Sequence, residues 1–297
     1  MEILSKSRIA TFAACPRKYE FHYIRNRVPI TSARALKVGV AWHQAMEVYW
    51  KEGREKAIHW LISQAEGLED PDVCRLTALL KFYNPPLESY EIVSIEEEFK
   101  GPIRVAGRPR PLRGFRYGGR RDGVVRSRET GLLWLLENKT TSDQIAGWGE
   151  FWRRLNLDAQ TSWYLLYGTF EGVLYNVVRK SMLRPPKGWE TTSGDERVRL
   201  LDSFQKRIEA EIAANPGEFY QCREIRKTPD DLAEAQADLA KYAQDIRSCQ
   251  KAGFFQRNTD SCRHMYGLCQ YIDVCSGAAR LEDDSLFTDR PGDEQRA

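Results

Sequence analysis

Apolar residues recur near helical spacing along the opening stretch SKSRIATFAACPRKYEFHYI, at Ile9, Phe12, Ala13, Tyr19 and Tyr23, and Pro16 falls inside the run. A proline there removes a helical hydrogen bond, so the pattern predicts a helix that breaks and restarts. ALKVGVAWHQAMEVYW, around residues 35–50, reads as a second helix. Further helical stretches cover about 54–66 and 71–83, the latter ended by Asn84-Pro85-Pro86. The period then shortens. ESYEIVSIEEEFK predicts a strand, and GFRYGGRRDGVVRS and GLLWLLENKTT predict two more, joined by a short hairpin connection over residues 127–131. LNLDAQTSWYLLYGTFEG returns to helical spacing, and VLYNVVRKSML is rich in β-formers. Two long polar helices follow, about 195–214 and 229–250, and a cysteine-bearing segment of about 254–276 closes the pattern. The sum is a mixed α/β chain with helical additions at both ends.

Composition narrows the class. With 297 residues, 42% of them hydrophobic, the chain can bury a sizeable core in one or two domains. No stretch is apolar over the ~18 residues a bilayer requires. The N-terminus lacks a positively charged start followed by a long apolar run, so neither a membrane role nor a secretory signal is expected, and a cytoplasmic location is. Seven cysteines, an odd number, argue for buried thiols or metal ligands over a disulfide framework. The net charge of +3 is small, but nine arginines lie between Arg104 and Arg128 against the single acid Asp122. Interleaved with Phe115 and Tyr117, they suit phosphate contact and base stacking. Residues 282–297, acidic and poor in large apolar side chains, read as a disordered tail.

Candidate chemistry gathers around Asp122, Glu137 and Lys139. Glu137 and Lys139 are two apart on one strand and therefore share a face, while Asp122 lies across the hairpin. Two carboxylates and an ammonium also describe a cross-strand salt bridge on a solvated face. The setting favours a site: LLWLL is wholly apolar, then ENKTT turns abruptly polar, as a buried central strand does where its end opens. A carboxylate pair so placed suits Mg²⁺ or Mn²⁺, which take oxygen ligands and leave room for water and phosphate.

SRIATFAACPRKYEFHYI, GVAWHQAMEVYW, GRRDGVV, LLENKTT and LDAQTSWYLL occur in the order found in the RecB-like branch of the PD-(D/E)XK nuclease superfamily. The chain resembles the phage-encoded and CRISPR-associated iron–sulfur exonucleases of that branch. The resemblance implies a restriction-endonuclease-like central mixed sheet flanked by helices. Its helical N- and C-terminal additions would be joined by a metal cluster. Asp122, Glu137 and His43 would be metal ligands and Lys139 the motif lysine, with Gln160 and Tyr164, one helical turn apart, forming the Q-x-x-x-Y motif. Arg121 stands where the family name has its proline. Glu47, one turn beyond His43, suits either a partner of that histidine or an exposed acid.

Among the cysteines, Cys262, Cys269 and Cys275 cluster in sequence and Cys15 lies far upstream. Four thiolates suit either zinc or iron–sulfur, and the resemblance favours a [4Fe-4S] cluster on these four. Because the spacing from Cys262 to Cys269 exceeds that of CRISPR-associated relatives, His264 and Cys249 stand as substitutes for Cys262. Such a cluster would staple the first helix to the last ordered segment. Cys74 reads as core, as does Cys222. The expected organisation is an N-terminal helical region (1–90) carrying Cys15 and His43, a nuclease core (91–185), a C-terminal helical region (186–281) and the tail. The expected activity is metal-dependent DNA exonuclease action on single strands or ends, in recombination, repair or phage replication, with a helicase or recombination partner. If the chain is phage-encoded, the compartment is the host cytoplasm. The alternatives are a CRISPR-associated nuclease that trims DNA before integration, and a non-catalytic DNA-binding subunit of a helicase–nuclease complex.

Overall fold

Pro16 divides the opening helix in the way its ring demands. Cys15 is extended, ending one helix and starting the next, and Pro16 takes the first helical position, where its missing N–H costs nothing. The structure, a computed structural model, describes residues 1–30, 34–64, 67–84, 87–264 and 267–290. In chain order the first elements are β1 (Glu2–Leu4), α1 (Lys6–Ala14), α2 (Pro16–Tyr19), β2 (Arg27–Pro29), α3 (Arg34–Glu52), α4 (Arg54–Gln64) and α5 (Asp70–Phe82). The middle of the chain holds β3 (Tyr90–Pro102), β4 (Phe115–Ser127), β5 (Leu133–Thr141), α6 (Glu150–Asn156), α7 (Ala159–Leu165) and β6 (Gly172–Arg179). It closes with α8 (Gly194–Ala214), α9 (Pro216–Phe219), β7 (Tyr220–Ile225), α10 (Pro229–Ala252), β8 (Arg263–His264), β9 (Gly267–Leu268), α11 (Ile272–Ser276) and β10 (Phe287–Asp289). No helix among the described residues is long and apolar enough to cross a membrane.

The chain divides into two compact units, neither of them continuous in sequence. Each unit takes segments from more than one of the four expected spans, 1–90, 91–185, 186–281 and 282–297. The larger unit comprises residues 33–99 and 120–232. Its mixed sheet runs from the second half of β4 through β5 and β6 to β7, with β3 paired to β4. β4 and β5 are antiparallel, β5 and β6 parallel, β6 and β7 antiparallel. A parallel pair needs a crossover, which α6 and α7 supply between β5 and β6. Trp42, Ala45 and Met46 of α3, Leu61 of α4, Leu76 and Leu79–Leu80 of α5, and Phe204, Ile208 and Ile212 of α8 form one buried apolar cluster. Cys74 joins it, as expected of a core thiol. A second cluster joins Val125, Trp134, Leu136 and Leu174 of the sheet, with Trp50 and Cys222 packed against it. A mixed sheet flanked by helices is the fold the sequence suggests.

The smaller unit collects residues 1–32, 100–119 and 233–297. Here β1 lies parallel to the first residues of β4, Glu2 opposite Phe115. β10 pairs antiparallel with β2, Phe287 opposite Pro29. That pairing corrects the expectation of a disordered tail from residue 282 onward. Phe287 is buried against Phe21, Tyr271 and Leu281, and Arg27 holds Asp284 at 2.6 Å and Asp289 at 3.2 Å. Residues 291–297 lie outside the described residues.

Candidate active site

β5 carries the centre of the site because its first half is buried. Trp134, Leu135 and Leu136 drive the strand into the sheet, and the next residues, Glu137 and Asn138, are each only 2% exposed. Lys139, on the same face as Glu137, closes back on it with Nζ 2.6 Å from Oε1. Gln160 on α7 donates from Nε2 to the same oxygen at 3.0 Å. Asp122 on β4 accepts the Asn138 backbone N–H at 2.7 Å, locking the two acidic strands together. His43 on α3 approaches the same Asp122 oxygen, Nδ1 to Oδ2 3.2 Å. Tyr164, one turn beyond Gln160, is hydrogen-bonded to it and feels the charges of Glu137 and Asp122. The six residues singled out in the sequence thus come from four elements into one buried group.

Burial and mutual repulsion govern its electrostatics. Desolvation raises the Glu137 carboxyl well above the carboxylate range, Asp122 and Asp158 add to this, and Lys139 opposes it. Burial by itself would lower Lys139, but Glu137 and Asp158 outweigh it and the ammonium is held more firmly than usual. For His43 burial also lowers, and the hydrogen bond and charge of Asp122, with Glu137 behind it, outweigh that and raise it. Tyr164 is raised by burial and by the two carboxylates. An acidic group short of positive charge is the environment a divalent cation relieves. The donor chemistry, two carboxylates and an imidazole, suits such an ion. Among the described residues no three His, Cys, Asp or Glu side chains are already arranged to hold a metal. Glu137 faces Lys139 and Gln160, and Asp122 faces His43 and a backbone N–H, so ligation would require these side chains to turn.

Two site residues escape sequence reasoning. Glu96, in the middle of β3, has φ +56, a left-handed conformation uncommon outside glycine. Burial pushes its carboxyl up to about 7, with Asp122 and Glu47 contributing and Arg120 opposing. Arg120 Nε lies 2.5 Å from Glu96, and its guanidinium 3.6 Å from Glu47. Glu47, also 2.5 Å from Lys51, is therefore a partner of both an arginine and a lysine. Nothing in the run EEEF marks which glutamate turns toward the site. Asp158, whose carboxylate is 3.5 Å from Lys139, left one signal in the sequence, an aspartate just before a helical run, and it caps α7 by accepting the Gln160 N–H.

The arginine run does not act as one group. Arg121 is buried, stacked over Phe99 at 4.1 Å and Phe170 at 5.0 Å, and donates to the Tyr167 carbonyl. It is a packing element at the position of the family proline. Arg126 donates to the Gly131 carbonyl. In the smaller unit, Arg108, Arg110 and Arg113 join Arg247 around an open cavity of about 390 Å³.

All seven cysteines are free thiols. In the smaller unit, burial raises the Cys275 thiol, and Cys269, Cys15 and Cys262 each add to the shift, so the four form one neighbourhood. The Asn258 backbone N–H points at the Cys15 sulfur, 3.4 Å away, and the Cys269 N–H donates to the Cys262 carbonyl at 2.8 Å. The four half-buried thiols have the chemistry of a four-thiolate donor set but, among the described residues, are not arranged to hold a metal. Cys249 lies against Gln256 instead and does not figure among the groups acting on Cys275. The side chain of His264 lies outside the described residues. Cys222, in β7, is half-buried, with its thiol pushed up to about 12 by burial.

Comparison with known proteins gives one decisive match. The family model of the PD-(D/E)XK nuclease superfamily matches residues 3–276. No curated protein matches. Among solved structures, one titled "Crystal structure of SSO0001" is similar at 15% identity with a TM-score of 0.31, covering 74% of this chain and 79% of that one. A likeness that loose carries no argument.

Proposed function

Because this chain belongs to the PD-(D/E)XK nuclease superfamily, we propose that it is a metal-dependent DNA exonuclease of the RecB-like branch, hydrolysing phosphodiester bonds in single strands or at DNA ends. The observation that carries this reading is the convergence of His43, Asp122, Lys139 and Gln160 on or beside one buried carboxylate, Glu137. Asp122, Glu137 and His43 are the proposed ligands of Mg²⁺ or Mn²⁺. When bound, the cation supplies polarisation of the scissile phosphate and a water of lowered pKa. Lys139, kept charged by Glu137 and Asp158, stabilises the charge that develops on the phosphate oxygens. Gln160 fixes the Glu137 carboxylate, and Tyr164 orients Gln160 from the next turn. The task would be end processing in recombination, repair or phage replication, beside a helicase or recombination partner.

In the same reading, Cys15, Cys262, Cys269 and Cys275 hold a [4Fe-4S] cluster whose part is structural. The nuclease assignment is tested with end-labelled single- and double-stranded DNA in Mg²⁺, Mn²⁺ and EDTA. Cleavage should require the metal and should fall by about 10²–10³-fold or more in Lys139→Ala, as when a charge-stabilising donor is removed. Asp122→Ala should be equally impaired. Undiminished cutting by both variants would overturn the site.

A further inference from the structure

The larger unit carries an aromatic cavity with charges of both signs beside β7, whose Arg223 shares a sheet face with Glu137. Trp148, just before α6, is 65% exposed, whereas Trp152 on α6 is fully buried. Their ring centroids are 6.0 Å apart. The Arg223 guanidinium lies against both rings, 5.1 Å from the Trp148 centroid and 4.4 Å from that of Trp152. With Arg153, Asn156, Glu224, Ile225 and Arg226 the two indoles line an open cavity of about 380 Å³. Arg226 is held by Glu171 and Glu224. Arg153 is exposed on the rim.

A single exposed indole is unremarkable by itself. This one is braced from behind by a guanidinium, set beside a cavity, and placed in line with the proposed chemistry. Glu137 pairs in register with Tyr175, and Tyr175 with Arg223. Residues in register share a face, so Glu137 and the arginine behind Trp148 stand two strand spacings apart, about 10 Å, with buried Tyr175 between them beneath α6 and α7. A strand of nucleic acid engaged beside Glu137 would reach Trp148 by passing over α6 and α7, a span of a few nucleotides.

We propose that Trp148 is a base-stacking subsite for unpaired DNA, with Arg223 holding the indole and Arg153 meeting a flanking phosphate. This rests on the nuclease reading and names the part of the substrate recognised away from the reacting bond. The ligand is single-stranded because only an unstacked base offers its π-face to an indole, whereas a duplex keeps both faces covered. With Arg226 offset by Glu171 and Glu224, the contact to a polyanion falls to Arg153, exposed beside the indole. Stacking needs no base-edge hydrogen bonds, so the subsite reads strandedness and tolerates any sequence.

Binding of the full-length protein in EDTA to fluorescein-labelled oligo(dT) and to a closed duplex dumbbell tests this. Trp148→Ala should weaken oligo(dT) binding about tenfold or more, and Trp148→Phe, which keeps a stacking face, should restore most of it. Dumbbell binding should not change. In metal-dependent digestion of single strands, Trp148→Ala should raise KM and leave kcat alone. Equal binding by wild type and Trp148→Ala overturns the subsite, as does an equal loss for both DNAs, a Phe variant no better than Ala, or binding of neither DNA by the wild type. A wild type that binds oligo(dT) through Trp148 yet cuts no DNA sinks the nuclease reading and leaves the subsite standing.

Discussion

Glu137 accepts from both Lys139 and Gln160 on one oxygen, and still its carboxyl is pushed upward, because desolvation and neighbouring acids outweigh the lysine. Glu96 is raised in the same way, from the ordinary 4.5 to about 7. A carboxyl whose folded pKa is raised binds protons better folded than unfolded. Its stabilising contribution is complete below the unfolded value of 4.5 and is lost as pH rises through about 7. The metal-free protein should therefore weaken between those limits, and a cation, which favours the charged carboxylates, should compensate most at the alkaline end. The gain in Tm from Mg²⁺ over EDTA should be larger at pH 8 than at pH 6, and equal gains would remove this account. Glu96→Gln, which keeps the shape and removes the charge, should raise the metal-free Tm at pH 8 and flatten its pH dependence. A thermal-shift series over pH reads both.

At the scale of elements, the site depends on how closely β5, β6 and α7 are set. Gly172 opens β6 beside β5 and β7, and a Cβ there would lie 2.5 Å from the Ile225 carbonyl and 2.8 Å from the Trp134 ring. The carbonyl belongs to a paired strand and cannot step aside cheaply. Gly172→Ala should destabilise by about 1–3 kcal/mol, measured by urea unfolding, with a normal m-value if only packing is strained. Asp158 works at the other edge, capping α7 and facing Lys139 at 3.5 Å. Asp158→Ala should cost about 1 kcal/mol and Asp158→Asn, which retains a capping oxygen, much less. If the two variants unfold alike, the cap contributes nothing and only the charge matters.

At the scale of the molecule, the smaller unit draws on both ends of the chain and on residues 100–119 between them. A cluster on Cys15, Cys262, Cys269 and Cys275 would close nearly the whole chain into one loop and constrain the unfolded state accordingly. Protein purified without oxygen should be brown and absorb in the visible range, and Cys15→Ser should lose both the colour and several degrees of Tm. A colourless protein with stoichiometric zinc would replace iron–sulfur by zinc in the same four thiolates.

Much of this was legible before any fold was known. The switch from helical to strand periodicity after Asn84, the abrupt polar turn at Glu137 within an apolar strand, and the helix broken at Pro16 are local signals. Each follows from side-chain period and backbone chemistry within a few residues. Asp122, Glu137 and Lys139 were identifiable for the same reason, and the order of the surrounding motifs supplied His43, Gln160 and Tyr164. β1, β7 and β10 were not, because a short strand acquires its identity from a distant partner: Phe115 for Glu2, Val173 for Ile225, Pro29 for Phe287. Glu96 stayed hidden because a positive φ within a strand is imposed by its surroundings and not by a glutamate's own preferences. The arginines looked alike until burial separated Arg121, packed over two aromatic rings, from those left in water. Sequence by itself determined that two carboxylates and an ammonium, Asp122, Glu137 and Lys139, would gather on neighbouring strands. Only the tertiary structure decided which further charges surround them, since desolvation and proximity do not exist until the chain has folded.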